Sequence, residues 1–218
     1  SPVSLADEAM FHISKGFKSI KLRVGDKVKT DMERVKKVRE TIPEEIDVLV
    51  DANANYTLKD AKIIMPFFEE YNIGWLEEPF PAMEFKNYRA AKSFSNVFLA
   101  AGENHFTRYE FARLIEDDFI TYAQPDVSKA GGVTELLRIA NLMSGWNISI
   151  NPHTSLTAIN MAVSIHILAS IENGGYFEGD VTNYNPFRDD MSVDPFKLDK
   201  NGFVEPLYIP GTGVNIDE

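Results

Sequence analysis

The chain has 218 residues, no cysteine, and a formal charge of −11 from 33 acids and 22 bases. Disulfides, thiolate metal sites and thiol nucleophiles are therefore excluded. No basic block stands out, so duplex nucleic acid and anionic membranes are poor partners. Hydrophobic residues make up 44%, enough for one globular core, and no apolar run is long enough to span a bilayer.

Residues 4–15 read as a helix, with Ser4 and Asp7 as its N-terminal cap, Ala6, Met10, Phe11 and Ile13 as its stripe, and Gly16 as its stop. Residues 17–24 read as a strand whose period of two sets Ile20, Leu22 and Val24 against Lys21 and Arg23. A helix at 28–41 and a continuous apolar strand at 46–51 follow. Next come helix 57–71, strand 73–77, a helix near 83–93 and strand 97–102. A helix from Thr107 to near Glu116 carries a cap signal in Thr107 and Glu110. Strand 119–125, helix 132–144, strand 147–151, helix 155–171 and strand 175–178 complete the alternation. This is an α/β pattern with a parallel sheet.

Seven strands are expected where a closed (β/α) barrel has eight, and the chain opens on a helix. The expectation is a TIM-type barrel over 1–178 whose first strand precedes Ser1, and Ser1-Pro2 is not expected to be a native start. Residues 179–218 change character, with Asn183, Asn185, Pro186, Asp189, Asp190, Asp194 and Pro195 in an irregular tail. Asn201-Gly202 marks a hairpin turn within it.

Chemically capable residues close the strand-like runs about every 25 residues. Asp51 ends Val48-Leu49-Val50, Glu77 ends Gly74-Trp75-Leu76, and Glu103 follows Leu99-Ala100-Ala101-Gly102. In a parallel barrel such ends gather at one mouth. Three carboxylates without histidine or cysteine make a hard oxygen site suited to Mg2+. Spacing alone leaves Glu78 open as an alternative to Glu77. His153, at the end of 147–151, is a candidate base beside Asp126, or else a lone loop histidine. Lys21 is a candidate base and Arg23 an anion clamp; a structural ion pair with nearby carboxylates is the other reading of Arg23. Ala130-Gly131-Gly132 could cradle an anion or form a plain turn. His12 and His166 fall in helices and read as structural, whereas His105 either lines the site or covers it.

Together, Lys21-x-Arg23, Asp51-x-Asn53, Trp75-Leu76-Glu77-Glu78-Pro79, Gly102-Glu103-Asn104, Gln124-Pro125-Asp126-x-x-Lys129-x-Gly131-Gly132 and Asn151-Pro152-His153 resemble the enolase superfamily. Within it they resemble the mandelate racemase subgroup, over nearly the whole chain. The resemblance implies that Asp51, Glu77 and Glu103 are Mg2+ ligands and that Asp126 and His153 form a proton-exchanging dyad. It further implies that Glu178 hydrogen-bonds the substrate carboxylate, with Asn53 and Lys129 as polar support. An acid at position 126 with a histidine on the next strand matches the racemase and acid-sugar dehydratase branch. The muconate-lactonizing and dipeptide-epimerase branch has a lysine base at position 126.

One departure bears on activity. Many relatives carry Lys-x-Lys, with the second lysine a base on the opposite side of the substrate, and here that position is Arg23. The arginine favours a lyase that turns a sugar acid into a 2-keto-3-deoxy acid through an enediolate. The alternatives are a racemase or epimerase on a 2-hydroxy or amino acid, and a non-catalytic binding relative. A two-carboxylate glycosidase leaves the third acid and His153 unused. The resemblance also implies an N-terminal capping domain, absent here, against which the tail would pack. A small-molecule carboxylate partner, a homo-oligomer and a cytoplasmic setting complete the expectations.

Overall fold

The computed structural model describes residues 1–154, 157–181, 184–190 and 196–214, and helices alternate with parallel strands along it. Strands Ser19–Arg23, Asp47–Asp51, Ile73–Glu77 and Phe98–Ala101 lie side by side in chain order, and Tyr122–Ala123 pairs with Ser149–Ile150, all parallel. Among the described residues, no helix is long and apolar enough to cross a membrane. The chain forms two compact units. One comprises Ser1–Ala100, Asp117–Thr121 and Lys200–Gly202; the other comprises Ala101–Glu116, Tyr122–Asp199 and Phe203–Glu218.

The first unit opens with α1 (Pro2–Ser14). Its cap is Ser1 rather than Ser4: the Ser4 N–H donates to the Ser1 hydroxyl at 3.2 Å, and Ser4 is the third helical residue of the same box. Next come β1 (Ser19–Arg23), α2 (Val28–Thr41), β2 (Asp47–Asp51), α3 (Leu58–Glu70), β3 (Ile73–Glu77), α4 (Phe85–Ala91) and β4 (Phe98–Ala101). β-branched and leucine side chains fill the sheet interior, as strands covered on both faces require. Val48, Val50 and Leu76 have no exposed surface, nor do Val35 and Val38 of α2 or Ile64, Met65 and Phe68 of α3. Register sets the strand ends level: Arg23 pairs with Asp51, and Asp51 with Glu77. Gly25, just beyond β1, has φ +98°, and a Cβ there would lie 2.5 Å from the Ala52 carbonyl oxygen, so only glycine lets the two loops approach.

The second unit holds α5 (Thr107–Glu116), β5 (Tyr122–Ala123), α6 (Val133–Ser144), β6 (Ser149–Ile150), α7 (Ala158–Leu168) and α8 (Pro186–Asp189). Its core includes Phe111, Leu114, Leu136, Ile139, Met143 and Met161. The α5 box sits one residue earlier than the sequence suggests. Thr107 is the first helical residue, with φ +59°, and the Glu110 carboxylate accepts from the Phe106 N–H at 2.6 Å. Helix α7 starts on Thr157, whose hydroxyl caps the Asn160 N–H at 3.1 Å; residues 155 and 156 of the expected helix lie outside the described residues.

Among the described residues, six strands form where seven are expected. Residues 175–178 are not a strand, because side chains replace the ladder there. One parallel bridge joins Ile150 to Gly174, and the Gly175 N–H still reaches the Ile150 carbonyl at 2.8 Å. The next N–H, on Tyr176, donates to the Asn151 side-chain oxygen at 2.7 Å instead of to a backbone carbonyl. Strands 119–125 and 147–151 likewise shorten to two residues each. In the tail, Leu198 and Val204 form an isolated antiparallel bridge around the Asn201-Gly202 turn, with Gly202 at φ +83°. Asn183, Asp194 and Pro195 lie outside the described residues.

Candidate functional site

In the first unit the ends of β1, β2 and β3 carry the charged residues. Lys21, mid-strand, sends its ammonium to both oxygens of Glu77, at 2.9 and 3.1 Å. Arg23 pairs with Asp51 at 2.9 Å, and its side chain is 64% exposed while that of Asp51 is 5% exposed. Asp51 also accepts the Asn53 backbone N–H at 2.7 Å, which turns the chain at the strand end, where Asn53 takes φ +45°. Burial pushes the Asp51 carboxyl up to about 7; the charge of Glu77 adds to this, while Lys21 and Arg23 oppose it. Glu78 is also buried; its N–H donates to the Ala100 carbonyl at 3.0 Å and its own carbonyl accepts from Ala54 at 2.7 Å.

In the second unit His153 is the centre. Its Nδ1 lies 2.8 Å from Asp126 Oδ2 and its Nε2 lies 2.6 Å from Glu103 Oε2. Burial favours the neutral ring, but the bonds to Asp126 and Glu103, with the charges of Glu178 and Glu103, raise its pKa to about 10. Burial also works against the Asp126 carboxylate; hydrogen bonds from His153, Ser128 and Asn160 outweigh it and hold Asp126 below its usual range. Glu178 accepts the Thr154 N–H at 3.3 Å, and the Thr154 hydroxyl donates to the Glu178 carbonyl at 2.5 Å. Gly102 brings this set close: a Cβ there would lie 2.6 Å from the Gln124 backbone, so glycine is required one residue before Glu103.

The remaining expected residues occupy varied places. Lys129 is exposed on the turn after Asp126, and its N–H donates to the Asp126 carbonyl at 3.0 Å. His105 is fully buried, its ring edge-on to Phe111 with centroids 6.1 Å apart. Gly131 and Gly132, with φ +115° and +84°, form the turn into α6. The sequence reading missed Asn160, Ser128 and Thr154. Asn160 had a signal: it is a polar residue three positions after the capping Thr157, at the head of a mostly apolar helix.

Among the described residues, no group of three or more histidine, aspartate or glutamate side chains is spaced to hold a metal ion. Each expected ligand is turned to a positively charged or protonatable partner: Glu77 to Lys21, Asp51 to Arg23, Glu103 to His153. The donor chemistry nevertheless fits a hard divalent cation. Asp51 and Glu77 are buried acids at paired register positions, and their mutual repulsion is what such an ion relieves.

A family model described as enolase C-terminal domain-like matches residues 4–218. The chain is 31% identical over 197 residues to a D-galactonate dehydratase of Cronobacter sakazakii, covering 88% of the chain and 51% of that protein. It is 29% identical over 213 residues to an arabinonate dehydratase of Saccharolobus solfataricus, covering 97% of the chain and 56% of that protein. The chain thus spans about half the length of the curated relatives it matches. Among solved structures, an enolase superfamily member from Polaromonas sp. JS666 superposes with a TM-score of 0.96 at 45% identity, over 100% of the chain and 57% of that one. A racemase from Streptomyces coelicolor with bound magnesium superposes with a TM-score of 0.89 at 27% identity, over 100% and 57%.

Proposed function

We propose, since the chain belongs to the enolase C-terminal domain-like family, that it supplies the proton-transfer residues of a hydro-lyase acting on a sugar acid. The observation that carries this reading is the His153–Asp126 contact of 2.8 Å. A carboxylate on Nδ1 fixes the tautomer and stabilises the imidazolium; Nε2, which lies 2.6 Å from Glu103 Oε2, is the proposed working nitrogen. The names of the two curated relatives support the substrate class.

The chemistry is a dehydration. Once the ring has shed the second proton that Asp126 and Glu103 hold on it, His153 accepts the C2 proton of the substrate on Nε2, and the C–H electron pair moves into the carboxylate. Its environment, which holds the charged ring up to about 10, stabilises the imidazolium so formed. The C3–O bond then breaks, and Nε2 gives its proton to the departing hydroxide, which leaves as water. The enol gains a proton at C3 and loses one from its oxygen, giving a 2-keto-3-deoxy acid. Mg2+ is the proposed cofactor, with Asp51, Glu77 and Glu103 as ligands; when bound it offsets the negative charge that develops on the substrate carboxylate. Glu178 is proposed to hydrogen-bond that carboxylate, with Asn53, Lys129 and His105 on the substrate side.

A second reading is 1,1-proton transfer, with Lys21 as another proton carrier; the likeness to the Streptomyces racemase favours it.

The metal-dependent lyase reading is tested with the full-length natural protein, stripped with EDTA and offered D-galactonate and arabinonate among other sugar acids. The 2-keto product, trapped with semicarbazide, is expected only after Mg2+ is restored. Full activity in EDTA, or no 2-keto product from any sugar acid with Mg2+ present, contradicts the reading.

A further inference from the structure

Asn160 lies at the head of α7 and is 3% exposed. Its place is set locally, since its backbone N–H donates to the Thr157 cap. Its side-chain amide has two N–H groups, and both are committed. Nδ2 donates to Asp126 Oδ1 at 2.8 Å and to Ser128 Oγ at 2.6 Å. Among the described residues, the buried amide oxygen has no hydrogen-bond partner. The amide cannot flip cheaply, because the flip would set its oxygen against the Asp126 carboxylate, acceptor on acceptor.

The hydrogen bonds divide the Asp126 carboxylate into two halves. Oδ1 takes the Asn160 amide and the Ser128 N–H, the latter at 2.7 Å. Oδ2 is left for His153 Nδ1 at 2.8 Å. Fixing Oδ1 by two donors from different segments fixes the rotation of the carboxylate, and hence the direction of Oδ2. We infer that Asn160 is a positioning residue for the dyad: it locks Asp126 so that the imidazole keeps its proton on Nδ1 and presents Nε2. The inference rests on the proposed role of His153 as proton carrier.

The simpler role for a buried asparagine at a helix start is to pack and cap α7. The two roles predict opposite rankings for two substitutions. Asn160→Asp keeps the shape, but sets a second carboxylate against Asp126. Asn160→Ala removes the shape, and with it only one of the two donors to Oδ1. Positioning predicts that kcat of the full-length protein falls about 10-fold in Asn160→Ala and about 100-fold in Asn160→Asp, with KM within about 2-fold of wild type. A packing role predicts the reverse order, with the isosteric Asn160→Asp closer to wild type.

A second readout does not depend on turnover. In the full-length protein labelled with 15N-histidine, the His153 Nδ1 proton is expected far downfield, as a proton bonded to carboxylate is. That resonance should shift upfield or vanish in Asn160→Asp while the other histidine resonances hold. An unchanged His153 resonance in both variants overturns the inference, as does Asn160→Asp outperforming Asn160→Ala in kcat. If His153→Asn instead turns over normally while the resonance of the Asn160 variants shifts as expected, the positioning stands and the proton-carrier reading falls.

Discussion

Replacing His153 by asparagine in the full-length protein is expected to lower turnover on the order of 10³-fold, the range for losing a general acid–base group. Asparagine can still meet Asp126 through its amide, but it cannot carry a proton. The wild-type ring bridges Asp126 Oδ2 and Glu103 Oε2, at 2.8 and 2.6 Å, so the change removes a hydrogen-bond donor from two buried acids. Mg2+ binding, followed by calorimetric titration, should persist, because the proposed ligands are all retained. Wild-type turnover in His153→Asn removes the histidine from the mechanism.

The second large effect concerns stability. Asp31, in the first turn of α2, has no exposed surface. Its Oδ2 accepts the Gly25 N–H at 3.0 Å, the Asp26 N–H at 2.9 Å and the Tyr56 hydroxyl at 2.9 Å. Its Oδ1 lies 3.3 Å from Arg34. One carboxylate thus ties the loop after β1 to the residues just beyond β2. Asp31→Ala leaves these donors without an acceptor and should cost about 3 kcal/mol or more, at roughly 1–3 kcal/mol for each buried orphan. Denaturant melts of the full-length protein measure it, and a change below about 1 kcal/mol contradicts the account.

Asp31→Asn separates charge from shape. Burial raises the Asp31 pKa, against the lowering effect of Tyr56, Gly25, Asp26 and Arg34. The folded state therefore holds this proton to a higher pH than the unfolded chain does. The stabilising contribution of that proton is complete below the ordinary carboxyl range and is lost as pH rises through the raised folded value. Wild type should accordingly lose stability relative to Asp31→Asn as pH rises from the ordinary carboxyl range through the raised folded value. A gap that moves the other way refutes the assignment.

The element order was legible because apolar runs and amphipathic stripes alternate with little ambiguity, and α2, β2, α3 and β3 fall within a residue or two of expectation. The ends were less legible because side chains compete for backbone groups. Ser1 takes the α1 cap from Ser4, Glu110 reaches back to Phe106, and Asn151 replaces a strand partner at Tyr176. On the site, spacing brought out the charged residues that close the strands and left Glu77 and Glu78 equivalent. In the structure Glu77 pairs in register with Asp51 and meets Lys21. The pairing of Arg23 with Asp51 is the ion-pair alternative left open for that arginine. Asn160 was invisible to strand-end counting because it reaches Asp126 from a helix 34 residues further along the chain.

The central claim is that an α-proton and a β-hydroxyl leave the same sugar acid. It is tested most directly by proton NMR of the full-length protein with Mg2+ and a sugar-acid panel in D2O. The account predicts a new 3-deoxy signal at C3, carrying one deuterium, as the C2 proton signal disappears. Deuterium entering C2 with every hydroxyl retained would contradict dehydration and make Lys21 the second proton carrier to test.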